Sequence, residues 1–167
     1  AFNGEFTVNI ALINAGTPRF GVVYAPALDV LYWGGPGAGA FRRQQSAVQA
    51  LRVASPPGPG QLVRMVASKS HLNAETSRFI GGFSPVELVQ AGSSLKFCRV
   101  ADGSADIYPR LAPTCEWDTA AAQAVLEGAG GYVYDTHGQP LHYGKADVLN
   151  PSFIAASMPY TDLAFTP

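Results

Sequence analysis

The sequence predicts an α/β protein in which an antiparallel sheet comes first and a smaller, mostly parallel sheet flanked by helices follows. Three observations predict it. Short β-rich runs joined by tight turns fill residues 1–54. The stretch Ser55-Pro56-Pro57-Gly58-Pro59-Gly60 then breaks the chain, with nothing apolar recurring in it. Beyond it, strand-like runs alternate with helix-like runs. The expected organisation is a first segment 1–54, a linker 55–60 and an α/β segment 61–167.

Taken in order, residues 6–13 read as a strand, Asn14-Ala15-Gly16-Thr17-Pro18 as a turn, and residues 19–24 and 30–33 as further strands. Gly34-Gly35-Pro36-Gly37-Ala38-Gly39 turns again, before strands at 40–42 and 51–53. Such short connections favour antiparallel neighbours. The glycine cluster lacks the Gly-Lys-Ser/Thr ending of a phosphate loop and sits between strands, so a hairpin turn is the reading preferred. Past the linker, strands are expected at 62–67, 86–89, 105–108, 132–134 and 152–156. Helices are expected at 73–80 and 95–101, and the strongest at Thr119 onward. There Ala-Ala-Ala-Gln-Ala-Val-Leu-Glu is nearly all helix formers and stops at Gly128-Ala129-Gly130-Gly131.

With 167 residues, 47% of them hydrophobic, the chain can bury a substantial core. Charge is sparse at 14% and nets to −1 with no Lys/Arg block, which argues against a nucleic acid polymer as partner. A small anion needs only a few local cations. No apolar run has transmembrane length, and the start lacks a signal-peptide pattern. Cys98 and Cys115 are too few for a disulfide framework and lack metal-ligand spacing, so free thiols in a cytoplasmic compartment are expected. There is no initiator Met, and the chain reads as if it began in the middle of something.

Asp118, at the start of the best helix, admits two readings. As an N-cap it accepts a bond from an unpaired backbone N–H. As an acid beside an anion site it holds a divalent cation that bridges to phosphate. In parallel sheets ligands collect beyond the carboxyl ends of the strands. The polar loops 68–71, 92–96 and 109–110 follow three such strands, with Asp118 close behind. His71 alone reads as a loop or capping histidine, Lys96 as a solvated helix residue and Arg110 as a surface residue; their common placement points to a phosphate-bearing ligand. His137 and His142 sit in a polar loop and receive no catalytic role, and Glu5 reads as a strand-edge glutamate in preference to a residue supporting a metal site.

Several stretches together carry a resemblance. They are Asn3-Gly4-Glu5-Phe6-Thr7-Val8-Asn9-Ile10-Ala11-Leu12-Ile13, Gly21-Val22-Val23-Tyr24-Ala25-Pro26 and Ser68-Lys69-Ser70-His71. Gly92-Ser93-Ser94-Leu95-Lys96-Phe97-Cys98, Tyr108-Pro109-Arg110, Trp117-Asp118-Thr119-Ala120-Ala121 and Leu149-Asn150-Pro151 complete the set. Over nearly the whole chain this resembles the second half of the magnesium-dependent, lithium-sensitive phosphatases of the inositol monophosphatase superfamily. Trp-Asp-Thr-Ala-Ala is shared across that superfamily. The Gly-Ser-Ser-Leu-Lys-Phe-Cys and Ser-Lys-Ser-His runs favour its 3′(2′),5′-bisphosphate nucleotidases of the CysQ type.

The resemblance implies an α+β sandwich of the inositol monophosphatase type, with residues 1–54 as part of an N-terminal antiparallel-sheet domain. It implies Mg2+ as cofactor, with Asp118 as a magnesium ligand near the leaving-group side. It places His71, Ser93, Lys96 and Arg110 around the nucleotide and its 5′-phosphate. The implied reaction converts 3′-phosphoadenosine 5′-phosphate to AMP, clearing a by-product of sulfate assimilation. It also implies a bacterial protein in the cytoplasm or peripheral at the inner membrane, monomeric or homodimeric.

One departure stands out. The family's other metal ligands include an Asp-Pro-Leu-Asp-Gly-Thr motif, and no Asp-x-x-Asp-Gly-Thr occurs in these 167 residues. Asp118 by itself cannot build a magnesium cluster, which needs several oxygens. The chain is therefore expected to be a C-terminal portion, inactive alone, with one face of its antiparallel sheet bare. Competing expectations are inositol monophosphatase or fructose-1,6-bisphosphatase activity and a non-catalytic nucleotide-binding or structural fragment.

Overall fold

The computed structural model describes residues 5–67 and 72–163. The first sheet is an antiparallel meander in the order β1 (Val8–Asn14), β2 (Thr17–Ala25), β3 (Val30–Gly35), β4 (Gly39–Gln44) and β5 (Ala47–Ala50). Ala15 and Gly16 join β1 to β2 with positive φ at both positions (50° and 74°), the backbone that matches a two-residue hairpin turn to strand twist. The first strand starts at Val8 rather than at residue 6. The expected strand at 51–53 is instead coil that leaves the sheet, with Leu51 N bonded to Ala40 O and Val53 N to Ala129 O. The fifth strand is the run before it, Ala47–Ala50, whose four residues are all exposed and so show no buried-face pattern.

The second sheet runs β10-β12-β8-β6-β7, from β6 (Val63–Ala67), β7 (Val86–Gln90), β8 (Ile107–Arg110), β10 (Tyr132–Asp135) and β12 (Phe153–Ala156). It is mixed, not mostly parallel: β6 pairs parallel with β7 and β8, while β12 pairs antiparallel with β8 and β10. The connections decide this. Helix α1 (Ala74–Gly81) carries the chain from β6 to β7 and α2 (Leu95–Ala101) from β7 to β8, and such crossovers return strands in parallel. Residues 136–152 form no helix, so β12 comes back antiparallel to β10. Within that return, β11 (Leu149–Asn150) pairs with β9 (Thr114–Cys115), just before α3 (Glu116–Gly128).

Successive residues of β12 alternate between two cores. Phe153 and Ala155 join one cluster with α2, α3 and inner residues of the first sheet. Ile154 and Ala156 join the other, against Phe79, Ile80 and Phe83. The layers are therefore sheet, α2 with α3, sheet, and α1. Helix α3 lies at the centre, with every residue from Thr119 to Leu126 buried. Its small residues permit this. A Cβ on Gly21 of β2 would fall onto the Ala121 carbonyl, and one on Gly128 would meet the backbone of Gly35 and Gly39. The glycines past α3 close it as expected: Gly130 has φ +90°, with Gly130 N bonded to Glu127 O and Gly131 N to Leu126 O.

The outer face of the first sheet carries an apolar row that is exposed at β1 and half-buried across β2, β3 and β4. Val8, Ile10 and Leu12 of β1 are 49%, 65% and 62% exposed. Ile10 stands opposite Val22, Val22 opposite Trp33, and Trp33 opposite Phe41, whose rings stack at 5.7 Å.

Candidate functional site

Three chain segments converge beyond one end of α2. The turn Gly92-Ser93-Ser94 enters that helix with Ser93 in the left-handed region (φ +46°). Gly92 has no room for a Cβ, because Glu5 packs against it. Thr7 hydroxyl lies 2.7 Å from Ser93 Oγ and 3.2 Å from Ser94 Oγ, and Asn9 Nδ2 donates to it at 3.2 Å. The approach to β1 is thus tied to a turn more than eighty residues away.

Lys96 sits in the first turn of α2, with Nζ 5.6 Å from the Tyr108 ring centroid. Among the described residues it makes no salt bridge. Burial, and then the neighbouring Arg110, hold its pKa below the ordinary lysine value, with Glu5 opposing. Arg110 ends β8; it donates to Pro113 O at 3.3 Å, while its Nε is buried with no partner. Burial pushes the Tyr108 hydroxyl up to about 12, so it stays protonated at neutral pH.

Asp118 corrects one expectation. Helix α3 opens at Glu116, not at Thr119, and Cys115 is its N-cap. Asp118 lies in the first turn and reaches back, Oδ2 accepting from Cys115 N at 2.8 Å. Oδ1 makes no hydrogen bond among the described residues. The turn is pinned from the far side: Asn150 Nδ2 contacts Cys115 O, Thr119 Oγ1 and Thr114 Oγ1 at 2.9, 3.0 and 3.1 Å. Glu116 accepts from Gly144 N, Lys145 N and Lys145 Nζ.

Ser93, Lys96, Arg110 and Asp118 therefore wall one cavity of about 240 Å³, with Asn9 and Thr119 also lining it. His71 lies outside the described residues. Asn9, Thr7 and Thr119 were not singled out from sequence as site residues. Asn9 and Thr7 look like ordinary strand residues, and only the inward alternation of β1 could have flagged Asn9. Lys96 and Arg110 against the single carboxylate of Asp118 give the cavity lining an excess of positive charge. A magnesium centre is a different matter. Among the described residues no group of three or more His, Cys, Asp or Glu could hold a metal ion, and a lone carboxylate does not fill an oxygen shell.

Residues 3–164 match the model of the inositol monophosphatase family. The chain belongs to that family. Among curated relatives it is 44% identical over 154 residues to the 3′(2′),5′-bisphosphate nucleotidase CysQ of Escherichia coli K12, covering 90% of this chain and 60% of that protein. To the nucleotidase CysQ of Buchnera aphidicola it is 38% identical, covering 93% and 58%. The crystal structure of CysQ from Bacteroides thetaiotaomicron, a bacterial member of the family, superposes with a TM-score of 0.84 at 40% identity, over 93% of this chain and 64% of that one. Inositol monophosphatase II of Staphylococcus aureus shares the fold at 21% identity and a TM-score of 0.74, over 93% and 56%. The chain thus spans about three fifths of the length of the curated family members it matches. The α/β sandwich expected of the family is the fold observed.

Proposed function

We propose that this chain forms the nucleotide-holding part of a 3′(2′),5′-bisphosphate nucleotidase that hydrolyses 3′-phosphoadenosine 5′-phosphate. One observation carries the reading: Lys96 and Arg110 face one cavity with Ser93 and Asp118, and no ion pair among the described residues neutralises either cation. The relatives named CysQ nucleotidases support the choice of substrate. Lys96 and Arg110 take the 5′-phosphate oxygens, Ser93 adds a hydroxyl, and His71 contacts the nucleotide. Asp118, whose Oδ1 makes no hydrogen bond among the described residues, would serve as a cation ligand beside the reacting 3′-phosphate. In the net reaction water oxygen bonds to phosphorus, the bond to the ribose 3′ oxygen breaks, and that oxygen takes a proton.

Mg2+ belongs to this reading, with Asp118 as one oxygen ligand and the others supplied from outside the described residues. The described residues alone do not fit the ion, because no group of three or more His, Cys, Asp or Glu among them could hold it. The reading also assigns 1–54 to an antiparallel-sheet domain, 55–60 to a linker and 61–167 to an α/β domain, in a cytoplasmic protein. No described helix is long and apolar enough to cross a membrane. The test is phosphate release by the intact protein from 3′-phosphoadenosine 5′-phosphate, inositol monophosphate and fructose 1,6-bisphosphate. Preference for the nucleotide, lost in Lys96→Ala, supports the reading; preference for inositol phosphate overturns it.

A further inference from the structure

Thr7 has no place in the chemistry described so far, yet it is the hub of a hydroxyl cluster at the cavity wall. Its Oγ1 has one proton to give and two lone pairs. Asn9 Nδ2 occupies one lone pair. As donor the hydroxyl reaches Ser94 Oγ at 3.2 Å, and it lies closer, 2.7 Å, to Ser93 Oγ, where either atom could donate. Ser94 is buried, whereas the Thr7–Ser93 contact is exposed.

The single proton creates a choice. When Thr7 donates to Ser94, Ser93 spends its own proton on Thr7 and presents only lone pairs to the cavity, which repel a phosphate oxygen. When Thr7 donates to Ser93, the Ser93 proton is free to point at the anion beside Lys96 and Arg110. Ser93 must also be kept in left-handed backbone, which disfavours a non-glycine residue, with φ at +46°. The tether to Thr7 opposes its relaxation.

We propose that Thr7 is a positioning residue for the anion site: phosphate binding swings its proton from Ser94 to Ser93, so that Ser93 donates to the ligand. This rests on the nucleotide reading above. The test is AMP affinity of the protein by calorimetry, with circular dichroism melts as the folding control. Thr7→Val, of nearly equal shape, is expected to weaken AMP binding about tenfold, or ~1.4 kcal/mol, and Thr7→Ser to restore it. In a Ser93→Ala background Thr7→Val should add nothing, because the two act through one hydrogen bond.

Unchanged affinity in Thr7→Val, with Lys96→Ala abolishing binding, overturns the role of Thr7 alone. An equal loss with and without Ser93 also overturns it, since Thr7 then acts through structure at large. AMP affinity indifferent to Lys96→Ala overturns the nucleotide reading and the Thr7 role with it. Thr7→Ala stands in if the valine variant melts early, with the same expectations.

Discussion

The two sheets use similar apolar residues in opposite ways. In the second sheet the inner strand β12 is buried on both faces, and its alternate residues feed two separate cores. In the first, Ala11 and Ile13 pack inward near α3 while Val8, Ile10 and Leu12 on the same strand face out and stay exposed. An apolar strand is therefore no guarantee of burial. The outer face is a surface of the kind that interactions cover, and substitutions should separate it from the inner one.

The largest effect is expected at Gly21, where β2 touches the backbone of α3. Gly21→Val drives a side chain into the Ala121 carbonyl, which a helix backbone cannot yield. Destabilisation of roughly 4 kcal/mol or more is expected, read as loss of the cooperative urea transition. In the second sheet, Phe153 is fully buried and packs on Phe97 and Tyr108. Phe153→Ala should cost about 3–5 kcal/mol in the same measurement. Ile10→Thr, on the outer face, should change stability by no more than about 0.5 kcal/mol in the same measurement. A loss there as large as at Phe153 would mean that the two faces are not different after all.

Lys96 sharpens the comparison from the cavity between the layers. Its pKa in the fold is lowered by burial and by Arg110, so between that value and the ordinary 10.5 the unfolded chain binds more protons. Stability from this group therefore rises as pH climbs through the folded pKa. Affinity for AMP runs the other way, falling over the same alkaline window as the ammonium is lost. Lys96→Ala should remove both dependences, without lowering the melting temperature at pH 7.

Much of this was legible in the sequence. The alanine run announced α3, the glycines beyond Gly128 announced its end, and α2 lies where the pattern put it. The cations and Asp118 were found by their places after strands, and the cavity gathers those that the structure describes. Such features are local: residues two, three or four apart share a face, so periodicity and capping reveal an element without its partners. Four things were not local. The all-exposed β5 has no buried face to betray it, and the direction of β12 depends on a helix being absent from the connection before it. The cap of α3 falls on Cys115, pinned by Asn150, rather than on Asp118. Last is the contact of Thr7 with Ser93, made across 86 positions. Only the packing of β1 and α2 around α3 brings those two hydroxyls together, and a hydrogen bond between distant residues leaves no period in the chain to read.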